Sequence, residues 1–376
     1  MPPARDGRSS LTVLFAPDSF KGSLSSLAVA QALAEGWARA RPDDRLLFAP
    51  LADGGEGTLA AIEAAGGWER RDASVHDPLG RPVRAEWLIS SDGSRAVVEM
   101  ATASGLSLVA PADRDPAAAS SLGTGEVLRA VVAAGVREIV LGIGGSATTD
   151  GGAGIVRGLG GTVSGTLDVV DLAGLDRRLG EVTMRVACDV SNPLLGSDGA
   201  AATYGPQKGA SPADVAWLEA RLARFADALD AATGTNERAT PGAGAAGGTG
   251  YALLALARRF RSLSLEPGVD LVMDAVGFDA KLAATDLVIT GEGRIDAQTA
   301  FGKTALGVAR RAKAAGVRCI AVGGGVEPEG VAALAALGAE AVPVHERPIP
   351  VAEAIALGAA PLVTCGERLA RAELVG

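Results

Sequence analysis

The sequence predicts an α/β protein, and three features of the chain lead to this prediction. Near the amino terminus, two short apolar strands are each followed by a polar, glycine-containing loop and a helical pattern. From about residue 72 the pattern changes to strands and turns whose sheet need not be parallel. After residue 284 a strand–helix–strand unit restores the first pattern. The 376 residues are enough for two domains.

The amino-terminal elements follow from apolar runs and capping residues. Residues 11–15 form the first predicted strand, and Ser23 or Ser25 can cap the helix after the next loop. Residues 46–51 form the second strand, which leads through a glycine-rich loop into an alanine-rich helix ending near Ala65. In both units the polar loop follows the carboxyl end of a strand, where α/β proteins bind ligands.

The middle of the chain is predicted to contain strands at residues 75–88 and 95–101, then a helix capped by Thr124 and ending near Ala134. A strand at 138–143 precedes a glycine loop, and residues 159–179 are a polar link to a strand at 183–187. Ser211 and Pro212 begin a clear helix whose apolar stripe is core packing.

The carboxyl-terminal part is predicted to contain a buried strand at residues 287–290, a polar loop at 291–299 and a helix at 304–315 that Gly316 ends. A strand at 319–322 and two more helices follow.

The glycine loop, residues 142–154, is the most informative stretch. It consists largely of glycine with serine and threonine between, and Asp150 is its one charged residue. Glycine lets main-chain amides approach a ligand closely, and the start of the following helix favours anions. The loop therefore predicts binding of a phosphate or carboxylate, in preference to a simple turn.

Two better-known phosphate-binding motifs are partly matched, but the residues around each match do not fit the motif. Residues 242–247 match G-x-G-x-x-G, but the preceding residues are polar and end in Pro241, so a glycine-lined pocket wall is favoured over a dinucleotide site. Gly302 and Lys303 resemble part of a P-loop, but Ala297 stands where that motif needs glycine.

The bulk composition narrows the function classes. A net charge of −9 argues against nucleic acid as a partner. Three cysteines, widely spaced, indicate neither a disulfide framework nor a zinc site, and the two histidines have no partner at metal spacing. No signal core or membrane span is present in the sequence, so we expect a cytoplasmic protein with small-molecule substrates, no membrane partner and a homodimer as the candidate assembly.

Acids, lysines and glycines recur together at the predicted strand exits. Carboxylates that hold Mg²⁺, cations that neutralise charge and amide-rich loops are the parts that phosphoryl transfer needs. The polar residues at these positions are Asp18, Lys21, Asp53, Glu56, Thr148, Thr149, Asp150, Asp189, Asn192, Lys208, Glu292, Arg294, Asp296 and Lys303. Each alone has an ordinary structural explanation; their clustering indicates function.

Seven segments together resemble the bacterial glycerate kinases that phosphorylate the 2-hydroxyl. They begin at about residue 11 and end near residue 372, in the order residues 16–22, 52–57, 142–154, 188–193, 205–209, 241–250 and 287–294. The resemblance implies ATP-dependent phosphorylation of D-glycerate with Mg²⁺. It also implies two α/β domains with the site between them. A discontinuous flavodoxin-like (Rossmann-like) parallel-sheet domain would comprise residues 1–72 and 280–376, and an inserted mixed-sheet domain residues 73–279.

Within this resemblance, we hypothesise that amides at Gly144 and Gly145, with Lys21 and Lys208, hold the triphosphate and the glycerate carboxylate. Asp189 is the expected base for the hydroxyl proton, with Asp18 as the alternative, and Arg294 neutralises charge on the transferred group. The remaining expected residues bind substrate or phosphate (Ser146, Thr148, Asp150, Asn192, Glu292, Lys303) or place Mg²⁺ (Asp53, Glu56, Asp296).

The chain departs from the usual pattern in two places. Thr149 stands where the family usually has asparagine, and the connection at residues 160–175 looks shorter. Neither departure removes a charge. Three alternatives stay open: 3-phosphoglycerate as the product, a non-catalytic hydroxy-acid binder, and a nicotinamide oxidoreductase.

Overall fold

The structure is a computed structural model and describes residues 10–297, 299, 304–347 and 349–374. The chain divides into two compact units. The first comprises residues 1–53, 60–66 and 272–376, and the second comprises residues 54–59 and 67–271. The two units meet along the chain near residues 67 and 272. The domain boundaries near residues 73 and 280 stay a prediction.

The first unit contains a parallel five-stranded sheet in the order β13-β12-β11-β1-β2. Renumbered within this unit, the order is 5-4-3-1-2, which is the flavodoxin-like arrangement. Its strands are β1 (Thr12–Phe15), β2 (Arg45–Phe48), β11 (Leu287–Ile295), β12 (Arg318–Val326) and β13 (Glu340–Pro343).

Six helices in the described part of the chain lie wholly within the first unit. They are α1 (Ser26–Ala40), α10 (Phe278–Leu282), α11 (Thr304–Ala315), α12 (Pro328–Ala335), α13 (Val351–Leu357) and α14 (Ala360–Ala372). The core includes Phe15, Trp37 and Ile289, all fully buried. Gly36 and Gly366 allow α1 and α14 to approach closely, because a Cβ at either residue would overlap the backbone of the other helix.

The second unit contains a mixed six-stranded sheet in the order β10-β9-β6-β5-β4-β3. Its strands are β3 (Trp68–His76), β4 (Pro82–Ser90), β5 (Arg95–Glu99), β6 (Glu138–Gly142), β9 (Thr183–Ala187) and β10 (Ser262–Glu266), and a separate hairpin is formed by β7 (Thr162–Val163) and β8 (Val170–Asp171). Strands β5, β6, β9 and β10 run parallel to one another, whereas β3 and β4 are antiparallel to their neighbours. This confirms the mixed sheet.

Helices of the second unit cover this sheet around one large core. They are α3 (Ala101–Ser104), α4 (Leu122–Ala133), α5 (Ala153–Gly158), α6 (Ala200–Tyr204), α7 (Pro212–Thr233) and α8 (Ala245–Ala255). Two further helices, α2 (Thr58–Ala64) and α9 (Gly268–Ala275), each contain residues of both units.

Local capping signals explain several boundaries. Ser25 caps α1, and Ser211 with Asp214 forms a capping box at α7, as predicted. The predicted cap Thr124 is wrong, because α4 begins at Leu122 and the buried Thr124 hydroxyl instead donates to the Ser104 hydroxyl. The predicted polar loop at 291–299 is partly wrong, because β11 continues through Ile295.

Candidate functional site

The carboxyl ends of the parallel strands in the second unit bring several predicted residues to one sheet edge. Glu99 at the end of β5 pairs in register with Gly142 at the end of β6, and Gly142 pairs with Ala187 at the end of β9. The glycine loop and Asp189 therefore leave the sheet at neighbouring positions. This edge is where open α/β sheets bind ligands.

A second glycine-rich segment, residues 54–57, lies directly against the glycine loop. A Cβ at Gly142 would lie 2.4 Å from the Gly54 carbonyl oxygen, and one at Gly144 would lie 2.7 Å from the Gly55 Cα. A Cβ at Gly54 would in turn lie 2.4 Å from the Ala187 Cβ. The glycines in both segments therefore serve close backbone approach, which also places the exposed Glu56 beside the loop.

Lys208 is the buried cation of this site. Its ammonium donates to the Ser146 hydroxyl oxygen at 2.9 Å and to the Thr148 carbonyl oxygen at 2.6 Å. Burial lowers the pKa of Lys208 to about 7, although the negative charge of Asp150 opposes the shift. A buried ammonium aimed at an amide-rich loop is a preformed position for an anion, whose charge would stabilise the protonated form.

Asp150 holds the loop itself together. Its carboxylate accepts hydrogen bonds from the Ser121 amide and hydroxyl at 2.9 to 3.0 Å and from the amides of Gly152 and Gly154 at 3.0 Å. These donors lie at the starts of α4 and α5, where amides lack partners within the helix. Asp150 thus contacts the backbone on several sides, and direct ligand binding by its oxygens stays a prediction.

The hydroxyls of Thr148 and Thr149 are buried, and neither has a hydrogen-bond partner within the described part of the chain. An unpaired buried hydroxyl costs about 1–3 kcal/mol. Two such groups in a glycine loop could have their hydrogen bonding completed by a bound ligand or a water. This observation favours a ligand at the loop more directly than the glycine content does.

Residues 242–250 form the layer behind the glycine loop. The Gly151 amide donates to the Gly247 carbonyl oxygen at 2.9 Å, and a Cβ at Gly247 would lie 1.9 Å from the Thr148 carbonyl oxygen. Ala246, Gly247 and Gly248 all have positive φ, which interrupts α8. Close packing against residues 148–151 therefore accounts for this second glycine cluster.

Asp189 and Asn192 lie in the segment after β9. Asp189 is exposed, and its carboxylate accepts a hydrogen bond from the Gly268 amide at 3.0 Å, which joins the exits of β9 and β10. The Asn192 amide group donates to the Asp198 carbonyl oxygen at 2.7 Å and accepts from the Tyr204 hydroxyl at 2.7 Å. Asn192 thus orders its own segment.

Glu99 is a residue of this edge that the sequence analysis missed. Its carboxylate accepts a hydrogen bond from the Leu59 amide at 2.7 Å, at the start of α2. Burial raises the pKa of Glu99 to about 7, with the charge of Glu56 adding to the shift. The signal in the sequence was an acid at the end of an otherwise apolar strand.

The first unit has its own cluster at the carboxyl ends of β1 and β11. Asp18 is buried and accepts hydrogen bonds from the Thr304 hydroxyl at 2.6 Å and the Ser19 amide at 2.5 Å. Burial raises the pKa of Asp18, and the carboxylate of Asp53 raises it further. Thr304, the first residue of α11, is therefore a second contact that sequence reasoning missed.

Lys21 joins this cluster from the exposed side. Its ammonium lies 3.0 Å from the Asp53 carboxylate, and 77% of its side chain is accessible. Burial lowers the pKa of Lys21, but the charge of Asp53, the hydrogen bond to it and the charges of Asp18 and Glu292 together raise the pKa above its ordinary value. The structure thus brings together four of the predicted residues: Asp18, Lys21, Asp53 and Glu292.

The charged residues of the β11 segment lie on the strand and not on a loop. Glu292 is buried and accepts from the Thr299 hydroxyl at 3.2 Å. Arg294 is exposed and pairs with Glu327, and its Nε lies 3.5 Å from the Asp296 carboxylate. The hydrogen bond to Glu327, a residue not predicted, raises the pKa of Arg294. Lys303 lies outside the described residues.

Asp53, Glu56 and Asp296 are the predicted magnesium ligands, and this role stays a prediction. Across the described ranges, no three histidine, cysteine, aspartate or glutamate residues are placed to hold a metal together. Since Mg²⁺ usually takes only one or two carboxylates beside phosphates and water, the partly exposed carboxylate of Asp53 suits the ion.

Comparison with known proteins decides the family. A family model described as "Glycerate kinase family" matches residues 13–373. The chain belongs to the glycerate kinase family.

Relatives of known name agree with the family model. The glycerate 2-kinase of Escherichia coli strain K12 is 45% identical over 317 residues, which cover 81% of this chain and 82% of that protein. The glycerate kinase of Halalkalibacterium halodurans is 45% identical over 327 residues, covering 83% and 85%. A crystal structure described as a glycerate kinase 2 from Salmonella typhimurium LT2 is 40% identical and superposes with a TM-score of 0.85, over 98% of this chain and 99% of that one.

These similarities confirm the resemblance and the two-part α/β fold, and they identify a kinase. Within the residues that could be searched, no helix is long and apolar enough to cross a membrane.

Proposed function

We propose that this chain is an ATP-dependent glycerate kinase that transfers a phosphoryl group to the 2-hydroxyl of D-glycerate. Family membership supports the reaction class. The observation that carries the proposal is the buried Lys208 ammonium at the glycine loop, beside two buried hydroxyls that have no partner among the described residues. Both substrates are anions, and this arrangement suits an anion.

In this proposal the cluster at the glycine loop and the cluster in the first unit have different roles. The glycine loop of the second unit, with Lys208, holds one anionic group through amides and an ammonium that are already in position. Lys21, Asp53 and Asp18 of the first unit hold charge of both signs. Asp53 would hold Mg²⁺ together with phosphate oxygens, and the bound ion would neutralise charge on the phosphates.

Two carboxylates are candidates for accepting the proton of the substrate hydroxyl. Asp189 is exposed at the sheet edge beside the glycine loop, which suits direct access to substrate. Asp18 is buried with a raised pKa, which makes it a stronger proton acceptor. We keep Asp189 as the proposed base and Asp18 as the alternative. Arg294 is proposed to neutralise charge on the transferred group after exchanging its pairing with Glu327.

The test is an assay of the purified protein with ATP, Mg²⁺ and D-glycerate. ADP release that depends on all three, with L-glycerate as the control, supports the proposal. Phosphorus NMR of the product distinguishes 2- from 3-phosphoglycerate. Binding of glycerate without ADP release would instead indicate a non-catalytic binder.

Cytoplasmic location and a homodimer remain parts of the proposal. Sedimentation of the purified protein measures the assembly directly.

A further inference from the structure

A surface pocket in the second unit lies outside both clusters of proposed site residues. One side is the turn between β7 and β8, and the other is one face of α7 near its amino-terminal end. Its volume is about 300 Å³, at the small end of the range of ligand pockets. Its lining residues are Gly165, Thr166, Trp217, Ala220, Arg221 and Arg224.

Two arginines give this pocket its charge. Arg221 is half-buried, and its guanidinium lies 5.0 Å from the ring centre of Trp217 and donates to the Ala117 carbonyl oxygen at 2.5 Å. Arg224 is exposed one turn further along. Neither guanidinium is within ion-pair distance of a carboxylate in the described ranges. By contrast, Arg238 after the same helix pairs with Asp227 and Asp230.

The charged groups that act on these two arginines or feel their charge are Arg157, Asp150 and Asp168. Burial lowers the pKa of Arg221 and Arg157 lowers it further, while Asp150 acts in the opposite direction. The carboxylate of Asp168 accepts hydrogen bonds from the hydroxyls of Thr166 and Ser164, which lower its pKa, and the charge of Arg224 lowers this pKa further. A half-buried cation without a contacting anion is unfavourable, and a bound anion would remove this cost.

We propose that this pocket binds a small dianion through Arg221 and Arg224, and that a phosphate group is the chemical class it takes. Two guanidinium groups on one helix face can each donate to a phosphate oxygen, an arrangement that arginine favours over lysine. The half-exposed Trp217 ring offers an apolar surface to an organic part of the ligand. This site is independent of the proposed transfer reaction.

The experiment titrates the purified full-length protein with inorganic phosphate while following tryptophan fluorescence at constant ionic strength. Trp217→Phe identifies the part of the signal that comes from this pocket. Arg224→Gln removes one cation, and Arg258→Gln is the matched control, because Arg258 is exposed in the same unit and outside the pocket. Glycerol phosphate and acetate serve as the organic phosphate and the monovalent anion.

We expect a saturable signal that depends on Trp217. Arg224→Gln weakens binding about tenfold or more, the loss typical of a charge-assisted hydrogen bond, whereas Arg258→Gln does not change it. Tighter binding of glycerol phosphate than of inorganic phosphate would assign the site to an organic phosphate. The proposal is wrong if no signal depends on Trp217, if the two arginine variants behave alike, or if acetate binds as tightly as phosphate.

Discussion

The ammonium of Lys208 lies 2.9 Å from the hydroxyl oxygen of Ser146, and both groups are buried at the glycine loop. This pair connects the segment before α7 to the loop after β6. Because Lys208 also donates to the Thr148 carbonyl oxygen, one cation fixes two points of the loop. The first two predictions follow from this lysine.

Lys208→Met keeps the apolar stem and removes the charge. We expect kcat/KM to fall about 10- to 100-fold, because hydrogen bonds to charged groups are worth about 1.5–3 kcal/mol. We expect the fold to survive, although the buried Thr148 carbonyl loses this donor, which costs about 1–3 kcal/mol in the free energy of unfolding. Steady-state kinetics and thermal unfolding measure the two effects. Lys313→Met on an exposed helix is the control, and equal losses in both variants would contradict the role of Lys208.

The lowered pKa of Lys208 also predicts how stability depends on pH. Between about 7 and its ordinary value of 10.5, the folded protein has released this proton whereas the unfolded chain keeps it. The unfolded state then binds more protons, so the free energy of unfolding rises with pH in this window. Wild type gains stability relative to Lys208→Met between pH 7 and about pH 9. Urea unfolding at both values is the measurement, and a constant difference would argue against a neutral buried lysine.

Asp150→Asn tests whether this carboxylate holds the loop. An asparagine oxygen cannot accept all the hydrogen bonds of Asp150, and its NH₂ group would face backbone donors. We expect a loss of about 2–4 kcal/mol in the free energy of unfolding. Asp168→Asn, in an exposed turn of the same unit, should cost far less. If Asp150→Asn unfolds like wild type but loses activity, its role is in ligand binding.

Gly247→Ala probes the layer behind the glycine loop, with Gly234→Ala as the matched control. Both glycines have φ of 69°, so both variants carry the same backbone strain. A Cβ at Gly247 would lie 1.9 Å from the Thr148 carbonyl oxygen, whereas one at Gly234 meets nothing within 4 Å. The control should lose about 1–2 kcal/mol and keep its turnover. Gly247→Ala should lose more stability and most activity; similar behaviour of the two would disprove the packing argument.

The proton acceptor is decided by comparing Asp189→Asn with Asp18→Asn. Loss of a general base lowers kcat by about 10²–10⁴-fold, with a smaller effect on substrate binding. We expect this loss in Asp189→Asn. If Asp189→Asn keeps wild-type turnover and Asp18→Asn does not, Asp18 is the base.

Elements with strong local signals could be predicted from the sequence. Strand β9 matches the predicted residues 183–187, and α7 begins at the predicted capping box. The predicted strand at residues 287–290 ends too early, because the last residues of β11 are mostly glycine or charged and give no local strand signal. Pairing of Glu292 with Gly323 and of Arg294 with Gly325 keeps this segment a strand, and such pairing is not visible locally.

The candidate site likewise has features that the sequence predicts and contacts that it does not. The polar residues that follow the predicted strands could be grouped from the sequence, because the carboxyl ends of parallel strands lie at one edge of the sheet. Which residues contact each other could not, since Asp18 and Thr304 are 286 positions apart. Glu99 was missed because a single acid in an apolar run carries little signal until its burial and its contact with Leu59 are seen.

The glycine-rich layer at residues 242–250 has a consequence for genetic screens of this protein. In cells that depend on this protein to grow on glycerate, substitutions in residues 242–250 would abolish growth as completely as substitutions in the glycine loop. Residues 242–250 need not contact any ligand for this to happen. A map of inactivating mutations would therefore show two hot regions that are far apart in the chain. Suppressor mutations offer the distinction: a defect at Gly247 should be relieved by smaller side chains or altered backbone at residues 148–151, because the two segments share one interface.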